Sequence, residues 1–300
     1  MEAWHFFLAG RFSKIAEGEL KMDNIIKVTG IAYYSLKKTF TNSKIYIITI
    51  LSFMYVHFML NPVKIFAEKV QIGVSPYLFP FLFTSNYSVK IFLLLVTLLF
   101  CNAPFMDEAQ LYILVRTGRR KWCAGQILYI MILSGLYTLL LFVFTVVTII
   151  PELSIETGWG KVINTFAQTG IAASHGIPIP FDYSIILKYN PITALLLEGV
   201  LCWLLFSLFG NIIFTVNMKI SKFVGNIIAV FLIFFQMISE EISPLLTYFS
   251  PASWASLSFL DINNTNQYPG VNYALIAMII INLVFITISI ISVKTKHFLE

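Results

Sequence analysis

The stretch DEAQLYILVRTGRRKWCAGQ, residues 107–126, decides how this chain is read. Asp107 and Glu108 open it, and Leu111, Leu114 and Val115 follow at the spacing of a helix face. Gly118 then supplies a stop, because glycine takes a left-handed cap without steric cost. Arg116, Arg119, Arg120 and Lys121 crowd around that stop, and Trp122 stands where an indole meets lipid headgroups. Long apolar runs flank the stretch on both sides. The pattern predicts a short amphipathic helix held between two membrane spans, with an apolar edge that a soluble partner can grip. An ordinary basic loop accounts for the cations but leaves Leu111, Leu114 and Gly118 unexplained.

Composition places the whole chain in lipid. Of 300 residues, 58% are hydrophobic and 12% charged, against about 45–50% and 25% in soluble domains. Mean hydropathy is +0.82. The formal charge of +5 is spread over short loops, which excludes a nucleic-acid surface. Cys101, Cys123 and Cys202 fit neither a zinc spacing nor a disulfide framework. Trp4 to Ala9 is too short for the core of a cleavable leader, so the first span is expected to direct its own insertion.

A crossing helix needs about 20 apolar residues. Six stretches are read as spans: Lys44–Leu60, Ser88–Phe105, Gln126–Ile150, Ile192–Val216, Phe223–Ser239 and Tyr273–Val293. The first and fifth are short, so tilt or helical extension beyond the interface is expected. With both termini in the cytoplasm, 15 of the 20 Lys and Arg fall on the inner side, as the positive-inside rule requires. Residues 1–43 are read as a cytoplasmic segment with an amphipathic helix over Ile25–Thr41, and residues 44–300 as an all-α transmembrane domain. Ile25, Val28, Ala32, Leu36 and Phe40 share one side of that helix and Lys27, Lys37 and Lys38 the other, a pattern for lying in the headgroup plane. The Tyr77–Phe83 patch and the aromatic, proline-punctuated Tyr248–Trp254 segment are expected at the outer interface, with no soluble domain anywhere.

DEAQLYILVRTGRRKWCAGQ resembles the loop between the second and third spans of ABC-2-type exporter permeases. The amphipathic elbow before the first span, the count of six spans, and YFSPASWASL at residues 248–257 are similar to that family as well. The resemblance implies that Glu108, Leu111, Leu114, Arg116, Gly118 and Arg119 lie in or beside a coupling helix seated on an ATPase subunit. The family often has proline where Gly118 stands here. It further implies a second permease subunit, identical or different, and export of an amphipathic or hydrophobic cargo across a bacterial plasma membrane. Such a cargo is a peptide, an antimicrobial or a lipid-linked molecule. The chain has no phosphate-binding loop of the G-x-x-x-x-G-K-[ST] type, so ATP and Mg²⁺ are expected on a partner chain.

Glu198 is the only acid well inside a span. Such carboxylates face a bundle interior or a water-filled path, which makes it a candidate for a transport path or subunit interface. A protonated or hydrogen-bonded structural role is the competing reading. Asn211, Asn226 and Asn282 read as helix-to-helix hydrogen bonds, and Gly199 and Gly210 as sites of close packing. Glu240-Glu241 and His57, His175 and His297 form no catalytic or metal-binding set, so the chain is expected to be no enzyme. A non-transporting sensor or accessory subunit is the alternative, and a secondary transporter, which needs paired intramembrane charges, follows it.

Overall fold

The computed structural model describes residues 22–155, 157–261 and 267–295, and all their side chains except those of 86, 240, 294 and 295. Trp4–Ala9, Arg11, Lys14, Lys21, Lys296 and His297, with the side chains of Glu240 and Lys294, therefore lie outside the description. The described chain is helical, with two isolated β-bridges and no strand.

Four helices are long and apolar enough to cross a bilayer: α2 (Ser43–Val70), α6 (Arg119–Ile149, prolonged by a 3₁₀ turn to Glu152), α10 (Pro191–Lys219) and α12 (Val271–Thr295). This is a membrane protein. Two shorter apolar helices, α4 (Asn86–Phe100) and α11 (Val224–Ile242), lie between them. α10 is the axis, packing against α4, α6, α11 and α12, while α2 leans on α6 and α4. Close approach has a local cause at two glycines. A Cβ on Gly210 would sit 2.5 Å from Ile130 Cγ2, and one on Gly225 would sit 2.7 Å from the Ile213 carbonyl oxygen. Gly199 has nothing within 4 Å, so it does not serve the packing role expected of it.

α2 runs ten residues past Leu60, the expected end of its span, and Pro62 is accommodated inside it. A further helix, α1, covers residues 22–40. It is separate from α2, because Asn42 is extended (φ −88°, ψ 132°) and its carboxamide caps α2 by accepting the Lys44 N–H at 3.0 Å. The face of α1 that meets the bundle is Ile31, Ala32 and Ser35, with Val28 and Leu36 half-buried beside it. Of the stripe from Ile25 to Phe40, the middle therefore faces the bundle and the two ends, Ile25 and Phe40, are exposed. Ile31 packs where Gly125 of α6 leaves room for it. Met22, Ile26, Tyr33 and Phe40, seven residues or one turn apart, form a second apolar stripe that stays exposed.

The end of the bundle opposite residues 107–122 is more built than expected. Residues 71–85, 151–155 and 157–190 fold into a small cap containing α3 (Phe79–Leu82), α7 (Gly160–Thr169), α8 (Ile171–Ser174) and α9 (Tyr183–Lys188). The Val74–Leu153 bridge, Ser75 Oγ donating to the Trp159 carbonyl (2.8 Å) and the Phe81, Trp159, Phe166 and Phe181 rings hold it together. Leu78 to Phe83 are buried against α6 and α10, so the Tyr77–Phe83 patch is core and not an interfacial segment. The same correction applies to the second half of the Tyr248–Trp254 patch, from Ser250 on. Of two 3₁₀ turns, Pro244–Phe249 stays at the surface with Leu245 and Phe249 exposed, whereas Pro251–Ala255 re-enters the bundle and Pro251 to Leu257 are wholly buried among α4, α10, α11 and α12.

Candidate functional site

The predicted short helix forms as α5, Glu108–Thr117. Asp107 caps its start, its Oδ1 accepting the Gln110 N–H at 2.7 Å. Gly118 ends it at φ 87°, donating its N–H to the Leu114 carbonyl at 3.0 Å, and α6 begins at the next residue. Glu108 in the first turn and Arg116 in the last both complement the helix dipole. Five successive apolar side chains, Leu111 to Val115, ring the helix, so sequence spacing alone does not say which side is buried. The structure divides them: Leu114 points inward at 7% exposure and Leu111 is half-buried, whereas Tyr112 (67%) and Val115 (77%) face out. The accessible apolar edge is therefore Tyr112 and Val115, not Leu111 and Leu114. Glu108, Ala109, Arg116, Gly118, Arg119 and Arg120 surround it and are exposed.

Beneath α5 lies a buried polar junction that the sequence reading missed. Gln110 is 1% exposed. Its Oε1 accepts from Trp122 Nε1 (2.8 Å) and Gln126 Nε2 (3.1 Å), and its Nε2 donates to Ser35 Oγ (3.2 Å). Ser35 Oγ in turn donates to Gln126 Oε1 (3.4 Å). One carboxamide thus joins α5, α6 and α1. Lys38 of α1 adds an ion pair with Asp107, and Thr39 of α1 bonds the Tyr129 hydroxyl of α6 at 2.6 Å. Partial burial raises the Asp107 carboxyl's affinity for a proton, but the Lys38 ammonium and the Gln110 N–H outweigh it. The group is held below the ordinary carboxylate range.

The loop entering α5, residues 101–106, is gripped from the other side. Asn217 Nδ2 of α10 donates to the Ala103 carbonyl (3.0 Å) while its Oδ1 accepts the Gly225 N–H (2.7 Å). Asn226 Nδ2 of α11 donates to the Cys101 carbonyl (3.1 Å), and Lys44 Nζ of α2 donates to Asn102 Oδ1 (2.8 Å). Directional bonds therefore join α5 and the loop that enters it to α1, α2, α6, α10 and α11.

Glu198 stands apart from this site, near the opposite end of α10. It is fully buried, its Oε2 accepting the Leu257 N–H (3.1 Å) and its Oε1 lying 3.8 Å from Cys202 Sγ. It fastens the re-entrant turn to the central helix, with no ion-pair partner among the described residues. Asn211 and Asn282 do bond between α10 and α12, Asn211 Nδ2 donating to Asn282 Oδ1 at 3.0 Å, as expected.

No family model matches the chain, and no curated protein or solved structure matches it either.

Proposed function

We propose that the chain is the membrane-spanning subunit of an exporter powered by a separate ATPase of the ATP-binding-cassette kind. The observation that carries this reading is α5: a short helix whose outer face is uncovered while its inner face is bonded into the bundle. A passive loop has no need of such a backing. In this reading α5 lies on the cytoplasmic side, α1 is an elbow with Met22, Ile26, Tyr33 and Phe40 toward lipid, and α4 and α11 complete six spans. α11, with 19 residues, is about 28 Å long, close to the roughly 30 Å hydrocarbon core. α4, with 15 residues, reaches about 22 Å, and the buried α3 continues toward the opposite interface.

Closure of two ATPases on ATP and Mg²⁺ pushes the Tyr112–Val115 face. Gln110 passes the displacement to α6 and α1, and the 101–106 loop passes it to α10 and α11. A path between two such subunits, alike or different, then admits a hydrophobic or amphipathic cargo.

The test is mild extraction from the native membrane. Isolation together with a nucleotide-binding ATPase is expected, and Tyr112→Asp with Val115→Asp abolishes that association while leaving the permease folded. Interface anchors of this type are worth about 1–2 kcal/mol each, so the pair weakens binding roughly 100-fold. Leu114→Asp is unsuited to this test because Leu114 is buried, and its loss reports folding. Clean isolation with no nucleotide-binding subunit, together with neutral outer-face variants, favours a sensor or accessory subunit instead.

A further inference from the structure

At the α5 end of the bundle, a cleft of about 310 Å³ opens between α1, the start of α2, the 101–106 loop and the start of α11. Three lysines line it: Lys38, Lys44 and Lys222. Lys38 is neutralised by Asp107, and Lys44 is held by Asn102. Lys222 is exposed and makes no hydrogen bond or ion pair among the described residues. Among the described residues no Asp or Glu lines the cleft, so two positive charges there have no acidic partner among them. The starts of α2 and α11 also open on it, through Asn42, Lys44 and Ile45 of the first and Phe223 of the second. Their first N–H groups are already bonded, Lys44 N–H to Asn42 Oδ1 and Gly225 N–H to Asn217 Oδ1, so the helix starts add only the partial positive charge of their dipoles to the attraction for an anion.

The rest of the lining is apolar. Ile45, Ile48, Leu99 and Met106 line the cleft, and exposed Phe223 (68%) shares it. Of the three non-glycine residues with positive φ among those described, two line this cleft: Phe105 at 61° and Phe223 at 85°. Bulky side chains rarely hold that conformation, and such strain concentrates at ligand clamps. A volume near the lower limit of ligand sites accepts a headgroup and leaves longer chains outside.

We propose that this cleft binds the phosphate of an anionic phospholipid, with the acyl chains lying along α2 and Phe223. The charge and the apolar wall meet at one place, as the two ends of such a molecule require, whereas a free phosphate has no use for the apolar side. The inference requires only that the α5 end meets a membrane surface, and it stands whether or not an ATPase docks on α5.

The test uses the full chain in nanodiscs of phosphatidylcholine, alone or mixed with phosphatidylglycerol. Native mass spectrometry after partial delipidation is expected to find phosphatidylglycerol retained on the wild type, with a higher unfolding temperature than in phosphatidylcholine alone. Lys222→Gln, which breaks no bond in the fold, weakens retention about fivefold, and Lys44→Gln with Lys222→Gln about twentyfold. Lys161→Gln with Lys188→Gln, the same charge change at the opposite end, leaves retention unchanged. Equal retention by all variants overturns the proposal, as does equal retention of phosphatidylcholine. Inorganic phosphate that reproduces the thermal shift in lipid-free detergent overturns the assignment to lipid.

Discussion

Replacing Gln110 with methionine keeps the length of the side chain and removes every hydrogen bond it makes. The indole N–H of Trp122 and the carboxamide N–H of Gln126 then lose their acceptor at sites that are wholly buried. A buried donor left unpaired costs about 1–3 kcal/mol, so two cost about 2–6 kcal/mol, whereas a surface glutamine exchanged for methionine costs next to nothing. Because Gln110 also holds Ser35, the loss falls on the docking of α1 as well as α5. Hydrogen exchange measured by mass spectrometry, on the protein in nanodiscs, reads this directly. Opening of residues 108–117 and 31–39 becomes easier by at least 2 kcal/mol, which speeds exchange about thirtyfold or more in both segments and not in α12. Adding Trp122→Phe removes one stranded donor, so the double variant opens less readily than the summed single effects require. Unchanged exchange in residues 31–39, or strict additivity with Trp122→Phe, would refute the claim that one carboxamide ties the three helices together.

Glu198→Gln preserves an acceptor for the Leu257 N–H and leaves thermal stability near wild type, while Glu198→Leu strands that N–H and costs about 1–3 kcal/mol, with faster exchange across residues 250–257. An unaffected leucine variant would remove Glu198 from its fastening role. Gly225→Ala drives a methyl group to 2.7 Å from the Ile213 carbonyl oxygen and destabilises by about 1–3 kcal/mol, whereas Gly199→Ala meets nothing within 4 Å and gains up to about 1 kcal/mol of helix propensity; thermal unfolding of the two variants side by side checks the contrast. The depressed Asp107 carboxyl contributes stability that is complete above the ordinary carboxylate range and is lost as pH falls through its lower folded value. Protection of residues 31–39, corrected for the slower intrinsic exchange at low pH, therefore falls on acidification in the wild type, and Asp107→Asn, which has no charge to lose, shows a shallower fall.

The parts of this fold that are legible in the sequence are those governed by a long repeated requirement. A stretch of about eighteen residues that is apolar on average and nearly uncharged has one economical solution in lipid, and α2, α6, α10 and α12 stand where that requirement placed them. Asp107 and Gly118 likewise bound α5, because a cap and a stop act on their immediate neighbours. What was hidden depends on single residues meeting across distance. Gln110 is one polar side chain beside five apolar ones, and nothing local announces that Trp122, Gln126 and Ser35 converge on it. The inward turn of Leu114 follows from the same junction: once Gln110 is drawn under the helix, Leu114 four residues later shares its side, and Tyr112 and Val115 are turned out. The re-entrant Pro251–Leu257 segment resisted reading for a different reason. Proline and small residues carry no period, and its burial is made possible by one distant carboxylate, Glu198, which satisfies a backbone N–H that lipid could not. The buried polar groups of this chain are therefore best understood as its joints: Glu198 at one end and Gln110, Asn217 and Asn226 at the other hold irregular backbone against regular helices. A greasy bundle held only by dispersion has no directional contacts to fix its irregular segments, whereas this one is tied at both ends by hydrogen bonds of defined geometry.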